Sequence, residues 1–445
     1  MKFGGTSVGS AERIKGVAAI VRERLPRGPI VVVSALSGVT DALIRGARLA
    51  EAGDAGHAAV SAELRERHEA TVRELIADAA TRARLLAHVD GILSELRTLY
   101  AGVHALSELT PRSLDAISAM GERLSFEIVA AALLERGVPA RAIDARELIL
   151  TDESFSRAQP QLDAITARAA ALVPVVEQGS VPVLGGFIGS TAKGVTTTLG
   201  RGGSDWTASL VGGALAVEEI QIWTDVDGMM TVDPRLVPSA RVIPWVSFDE
   251  AAELAYFGAK VLHPATIKPA IERGIPVVIL NTLNPGAAGT RITADAPATL
   301  GEPRAIAAKQ GITLLTIAQP RMLMAHGFLA RVFAVFEKHR TSVDLIATSE
   351  VSVSLTVDDV SSLAPIRSEL LALGEVEVRQ QMAIVSVVGR GFTRRSGLAA
   401  RIFSALADVN VVMISFGASD VNVSFVVAEA DAERAVKSLH RGFFE

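Results

Sequence analysis

The segment Gly327-Phe328-Leu329-Ala330-Arg331-Val332-Phe333 returns 70 positions later as Gly397-Leu398-Ala399-Ala400-Arg401-Ile402-Phe403. At the same offset Val351-Ser352-Val353-Ser354-Leu355 matches Val421-Asn422-Val423-Ser424-Phe425, and Leu315-Thr316-Ile317 matches Val385-Ser386-Val387. A period of this kind constrains a fold more than any isolated motif, because each copy must form one supersecondary unit. Each copy reads as strand, glycine-led helix, two strands with period-2 alternation, then helix. Two copies are too few for a solenoid, so the pattern predicts a paired βαββαβ module at the C-terminal end.

Upstream of the repeat, residues 1–295 alternate apolar runs with amphipathic helices, as in an α/β domain with a largely parallel sheet. Ile30–Ser34, Val181–Phe187, Glu219–Trp223 and Pro276–Leu280 are short, β-branched and bounded by turn residues, which suits buried strands. Residues 55–135 are rich in Ala, Leu, Glu and Arg and read as helices, and 293–305, with two prolines, reads as the linker. A chain of 445 residues fits two to three domains. Here they fall at 1–295, 305–380 and 381–445. Only 4% of residues are aromatic, so core volume must come from Ala, Val, Leu and Ile. A formal charge of −5 gives no electrostatic case for nucleic acid or an anionic membrane. With no cysteine, disulfides, thiolate metal sites and cysteine nucleophiles are excluded. No apolar run approaches the ~18 residues of a membrane span, and no signal peptide is evident, so the default expectation is a cytoplasmic protein.

Two glycine clusters carry the chemistry. Residues 196–205 read Thr-Thr-Thr-Leu-Gly-Arg-Gly-Gly-Ser-Asp, poor core material that suits a backbone cradle for an anion. Trp206, Leu210, Val211 and Leu215 follow at helical spacing, so the loop would feed a helix N-terminus and its positive dipole end. Equally, Ser204 or Asp205 could do no more than cap that helix. The spacing is not that of a Walker A loop. At the other end of the chain, Lys2-Phe3-Gly4-Gly5-Thr6-Ser7 sets a cation beside paired glycines and hydroxyls. Together the clusters fit phosphoryl transfer, which is largely positioning plus charge stabilisation. Lysine at position 2 leaves no room for a strand before the glycine turn, so either the start is late or the first strand is truncated.

Lys2–Ser7, Gly121-Glu122-Arg123, Thr197–Asp205, Trp223–Gly228, Asp233-Pro234-Arg235 and Phe257–Pro264 follow the order of the aspartate kinase motifs, and the chain resembles that family from residue 2 to residue 445. Val343-Asp344-Leu345-Ile346 and Thr348–Ser352 look most like its lysine-sensitive, single-function class. The resemblance implies a three-layer αβα amino-acid kinase domain with a largely parallel sheet, followed by two ACT-like units. It implies transfer of the ATP γ-phosphate to the β-carboxylate of L-aspartate, with Mg²⁺ borne by the nucleotide and no dedicated protein cage, as the first step towards lysine, threonine and methionine. Aspartate is already ionised at neutral pH (side-chain pKa ~3.9), so this chemistry needs no general base. It needs cations and amide donors that bring two anions together.

Carried onto this sequence, the resemblance puts Lys2 at the transferring phosphoryl, oriented by Asp205, with Arg201 clamping the substrate α-carboxylate. Glu122 would pair with the α-ammonium, although Glu122, Arg123 and Glu127 also fit an exposed helical face. Thr40, Gly202, Gly203 and Ser204 complete the substrate set; by itself Thr40 could be only an N-cap. The nucleotide set is Lys2, Phe3, Gly4, Gly5, Thr224, Asp225, Met230, Arg235, Lys260 and Val261, with Met230 standing where many relatives carry an aromatic. A lysine effector carries two ammonium groups, and Asp344 and Glu350 would face them. Met322, Phe328, Leu329, Ser342, Val343 and Ser349 would surround the effector, and Met324 and Ala325 replace polar family residues, which predicts a weakened response. A homodimer or higher homo-oligomer through the ACT-like units is expected. The rival readings are a glutamate or acetylglutamate kinase and a catalytically silent amino-acid sensor.

Overall fold

The computed structural model describes residues 1–258, 264–297, 301–319 and 326–445, without the side chains of 264 and 265. Two compact units emerge. One comprises Met1–Met229, Pro244–Phe248 and Val261–Ala296; the other comprises Met230–Ile243, Asp249–Lys260 and Pro297–Glu445.

The first unit is built on strands β1 (Lys2–Phe3), β2 (Val31–Val33), β3 (Ala140–Ile143), β4 (Val181–Gly185), β5 (Ile188–Ser190), β6 (Thr196–Thr198), β7 (Ile220–Thr224), β8 (Trp245–Ser247), β9 (Val277–Asn281) and β10 (Thr290–Thr293). Eight of them form one sheet in the order β3-β4-β2-β1-β7-β9-β10-β8, and β5 and β6 pair separately. The six from β3 to β9 run parallel, whereas β10 pairs antiparallel with β9. Strand β1 is only two residues long, yet it lies between β2 and β7, with Lys2 level with Val32 and Ile222. Its Phe3 is fully buried and stacks on Trp223 with centroids 5.8 Å apart. The region 55–135 forms the helices His57–Leu75, Ala79–Leu106, Pro111–Ser118 and Met120–Glu135. Local chemistry starts two of them: Asp78 accepts from the Thr81 N–H at 2.7 Å, and Thr110 caps a helix whose first residue is Pro111.

The second unit carries β11 (Pro303–Ala318), β12 (Ile346–Thr348), β13 (Ser352–Val357), β14 (Glu375–Gly389), β15 (Val411–Phe416) and β16 (Asn422–Ala428). They make one antiparallel sheet in the order β12-β13-β11-β14-β16-β15. The repeat is visible in its helices. Gly327 (φ 76°) and Gly397 (φ 80°) are left-handed N-caps 70 positions apart, starting the helices Phe328–Lys338 and Leu398–Ala405.

The division differs from the linear 1–295, 305–380 and 381–445. Strand β14 spans residues 380 and 381, which face an irregularity in its pairing with β11, and Gln381 takes φ 54° there. Residues 305–309 pair with 384–388, so the start of β11 serves the second copy, and Ile306 shares a core with Val385, Phe425 and Leu439. Val232 and Val237, which the linear reading puts in the kinase domain, are buried in that same core.

Candidate active site

In the first unit the carboxyl ends of β1, β2, β4 and β7 bring distant segments together, the usual ligand side of an open α/β sheet. Lys2 Nζ lies 2.8 Å from Asp205 Oδ1, and each side chain is only about one-tenth exposed. The two glycine clusters, two hundred residues apart in sequence, therefore meet at one ion pair. Asp205 does not cap its helix. The helix Gly203–Ala214 starts from Gly202 at φ 71°, with no side-chain cap, which leaves the carboxylate free to hold the lysine. Ser204 likewise turns to Ser34, with their hydroxyls 3.0 Å apart. A Cβ at Gly186 would lie 2.6 Å from that of Ser204, so only glycine lets β4's end approach this turn.

The Gly4 N–H donates to the Trp223 carbonyl and is committed to the sheet rather than offered to a phosphate. Phe3 contributes core, with at most its main chain facing a ligand. Thr40 lies inside the first turn of the helix Val39–Glu51, whose N-cap is Gly38, so it is not a cap. Arg201 is exposed and makes no ion pair among the described residues.

Glu122 is not on an exposed face. It is 3% exposed, its Oε1 accepts from the Ala35 N–H at 3.1 Å, and its Oε2 has no hydrogen-bond partner among the described residues. Burial lifts its carboxyl from an ordinary 4.5 to about 8, against the opposing pull of the Ala35 N–H and the Lys2 charge. A buried carboxylate with an unused oxygen fits a cationic group that arrives with a ligand.

Sequence reasoning passed over Asp115, a buried acid near the start of the site loop. Its carboxylate accepts from the Ser156 N–H, the Thr198 N–H at 3.0 Å and the Thr198 hydroxyl at 2.7 Å. Desolvation pushes its pKa up even against those donors. Thr198 ends β6 and leads straight into Gly200-Arg201-Gly202, so Asp115 fixes the root of the loop that carries Arg201. No local sequence signal marks it, since its partners come from 41 and 83 positions away. Asp115→Asn removes the charge and one accepting oxygen while keeping the shape. It is expected to lower kcat/KM by about 10–100-fold, the scale of a small displacement of a positioning group. Steady-state kinetics beside a thermal melt check this, and unchanged kinetics in a folded variant would remove Asp115 from the site.

Residues 1–281 match the amino acid kinase family and 385–443 match an ACT domain. Along its whole length the chain is 40% identical to lysine-sensitive aspartokinase 3 of Escherichia coli, covering 98% of that protein. It is 42% identical to chloroplastic aspartokinase 1 of Arabidopsis thaliana, covering 80% of it. Among solved structures, E. coli aspartokinase III in complex with aspartate and ADP superposes with a TM-score of 0.87 at 37% identity, covering all of this chain and 99% of that one. The chain belongs to the aspartokinases.

Two of this aspartokinase's expected nucleotide residues, Thr224 and Asp225, sit at the end of β7, where the Thr224 hydroxyl lies 3.2 Å from an Asp225 oxygen. Asp227, two residues on, is held by Asn281 Nδ2 at 2.7 Å and by Asn284. Met230 and Arg235 belong to the second unit, where Arg235 pairs with Asp233. Lys260, Val261 and the effector residue Met322 lie outside the described residues.

Of the other effector residues, Phe328 is buried in the core of the first copy with Val332 and Leu355. Leu329, Ser342, Ser349 and Glu350 are exposed and Val343 is partly buried. The Asp344 side chain is 2% exposed. No helix among the described residues is long and apolar enough to cross a membrane.

Proposed function

We infer that this chain transfers the γ-phosphate of Mg-ATP to the β-carboxylate of L-aspartate, giving 4-phospho-L-aspartate, and that lysine binding to the ACT tail inhibits it. The observation that carries the catalytic reading is the Lys2–Asp205 ion pair, set beside the buried and half-partnered Glu122. A carboxylate acceptor is already a nucleophile at neutral pH. The site accordingly offers a held cation for the phosphoryl oxygens, a carboxylate for an ammonium and an exposed guanidinium, Arg201, for a second carboxylate. Mg²⁺ enters on the phosphate oxygens, and exposed Asp225 fits a contact through its waters. Lysine as effector is supported by the relative from E. coli and by its aspartokinase III solved with lysine and aspartate, TM-score 0.82. A homodimer through the ACT-like edge strands is the assembly this reading favours.

The test is ADP release by the purified chain with aspartate, glutamate or acetylglutamate as acceptor, each with and without lysine. Turnover is expected with aspartate only, and millimolar lysine is expected to lower it. Asp344→Ala is expected to relieve that inhibition and leave the uninhibited rate within about twofold, since Asp344 lies outside the catalytic unit. Turnover of glutamate without aspartate would sink the substrate reading. A rate and a thermal midpoint both indifferent to lysine would leave the tail as an assembly module.

A further inference from the structure

Asp344 already holds a lysine. Lys309 Nζ lies 2.9 Å from Asp344 Oδ1 and 2.8 Å from Asp358 Oδ2, and it sits 4.7 Å from the centroid of the Tyr256 ring. The Tyr256 hydroxyl donates to the same Asp344 oxygen. The other oxygen, Oδ2, is buried and has no hydrogen-bond partner among the described residues. The cluster is graded in exposure: the Asp344 side chain is 2% exposed, that of Lys309 20% and that of Asp358 46%. Seventy positions on, the counterparts of Asp344 and Lys309 are Ile414 and Arg379, and Arg379 pairs with Glu377 instead. Only the first copy has this arrangement.

A single buried carboxylate neutralises one ammonium well. A second ammonium on Oδ2 would meet the first within a few ångströms, where like charges repel strongly in a half-buried site. Asp358 offers Lys309 somewhere to go, because it already contacts the same nitrogen and faces water. We propose that Lys309 is a tethered competitor of the effector: in the free chain its ammonium occupies Asp344, and an amino-acid effector binds by displacing it onto Asp358. This rests on the reading of lysine as the effector at Asp344. Displacement also disturbs the hydrogen bond from Tyr256. That residue ends the helix Phe248–Tyr256, and the expected nucleotide residue Lys260 follows four positions later. The swap therefore gives the effector two states with different affinities, which any inhibition by binding requires.

The two anchors of Lys309 make opposite predictions. Lys309→Met removes the competitor, so the lysine concentration for half-inhibition should fall by about tenfold, equivalent to about 1.4 kcal/mol. Asp358→Asn removes the resting place and should raise that concentration several-fold; its half-exposed position makes it the safer variant to fold. Both are measured on the full chain, each against its own uninhibited rate, with the lysine-induced shift in thermal midpoint as a second readout. Wild type inhibited by lysine, with the two variants unchanged or shifted the same way, overturns the competitor and leaves the effector reading intact. Wild type and variants all indifferent to lysine overturn both.

Discussion

Lys2→Ala is expected to lower kcat by about 10²–10³-fold with both substrates saturating, as loss of a preorganised charge stabiliser does. The acceptor and the transferring phosphoryl group are both anionic, so the barrier lies in bringing them together rather than in moving a proton. Among the described residues of the first unit, Lys2 is the cation fixed at the strand ends by a buried partner, at 2.8 Å from Asp205. Its place on the central strand β1 fixes its backbone from both sides through β2 and β7. Removing it strands a largely buried Asp205 carboxylate, which destabilises the site as well as the reaction. Lys2→Arg separates the two effects. It keeps a charge for Asp205 but moves it, so it should fold like wild type and still lose at least tenfold in kcat. A folded Lys2→Ala retaining more than a tenth of wild-type kcat would remove Lys2 from the chemistry.

Glu122→Gln is expected to raise the KM for aspartate by about 10–100-fold, the weight of a charge-assisted hydrogen bond, while the protein melts at a higher temperature. The native carboxyl titrates near 8 and an unfolded one near 4.5. Between those values the native chain holds a proton that the unfolded chain has released, so this group's contribution to stability declines as pH rises through that window. Glutamine carries no such penalty and should flatten that part of the profile. Each kcal/mol recovered corresponds to about 2–4 °C in a unit of this size. Affinity moves the opposite way. An ammonium needs the ionised carboxylate, so wild-type kcat/KM for aspartate should climb as pH approaches 8, and the climb should vanish in the variant. Melting curves and kinetics between pH 6 and 9 measure both. A variant that is less stable and binds aspartate normally would make Glu122 a packing residue.

Much of the site was legible because its chemistry is local. Glycine and hydroxyl runs at 4–7 and 196–205 announce close backbone approach, and the strand ends near Ser34, Gly185 and Thr224 follow from short β-branched runs. What stayed illegible was burial and partnership across distance. Glu122 reads as a surface charge on a helical wheel, and only the packing of Met120–Glu135 under Ala35 makes it an inward carboxylate. Asp115 has no motif, because its role is defined by Ser156 and Thr198. The effector pattern around Phe328 does not reveal that its side chain is buried in the core of the first copy.

The 70-residue repeat, the parallel α/β pattern and the family motifs were determined by the sequence alone, since periodicity and backbone requirements are written in neighbouring residues. Tertiary structure alone decided where the units divide, because the start of β11 pairs with the second copy's part of β14 and its end with the first copy's, an exchange that no linear boundary respects. It also decided which charges meet. Lys2 with Asp205 and Lys309 with Asp344 are paired by sheet register and helix packing, and charge partnership at such separations leaves no trace in local spacing.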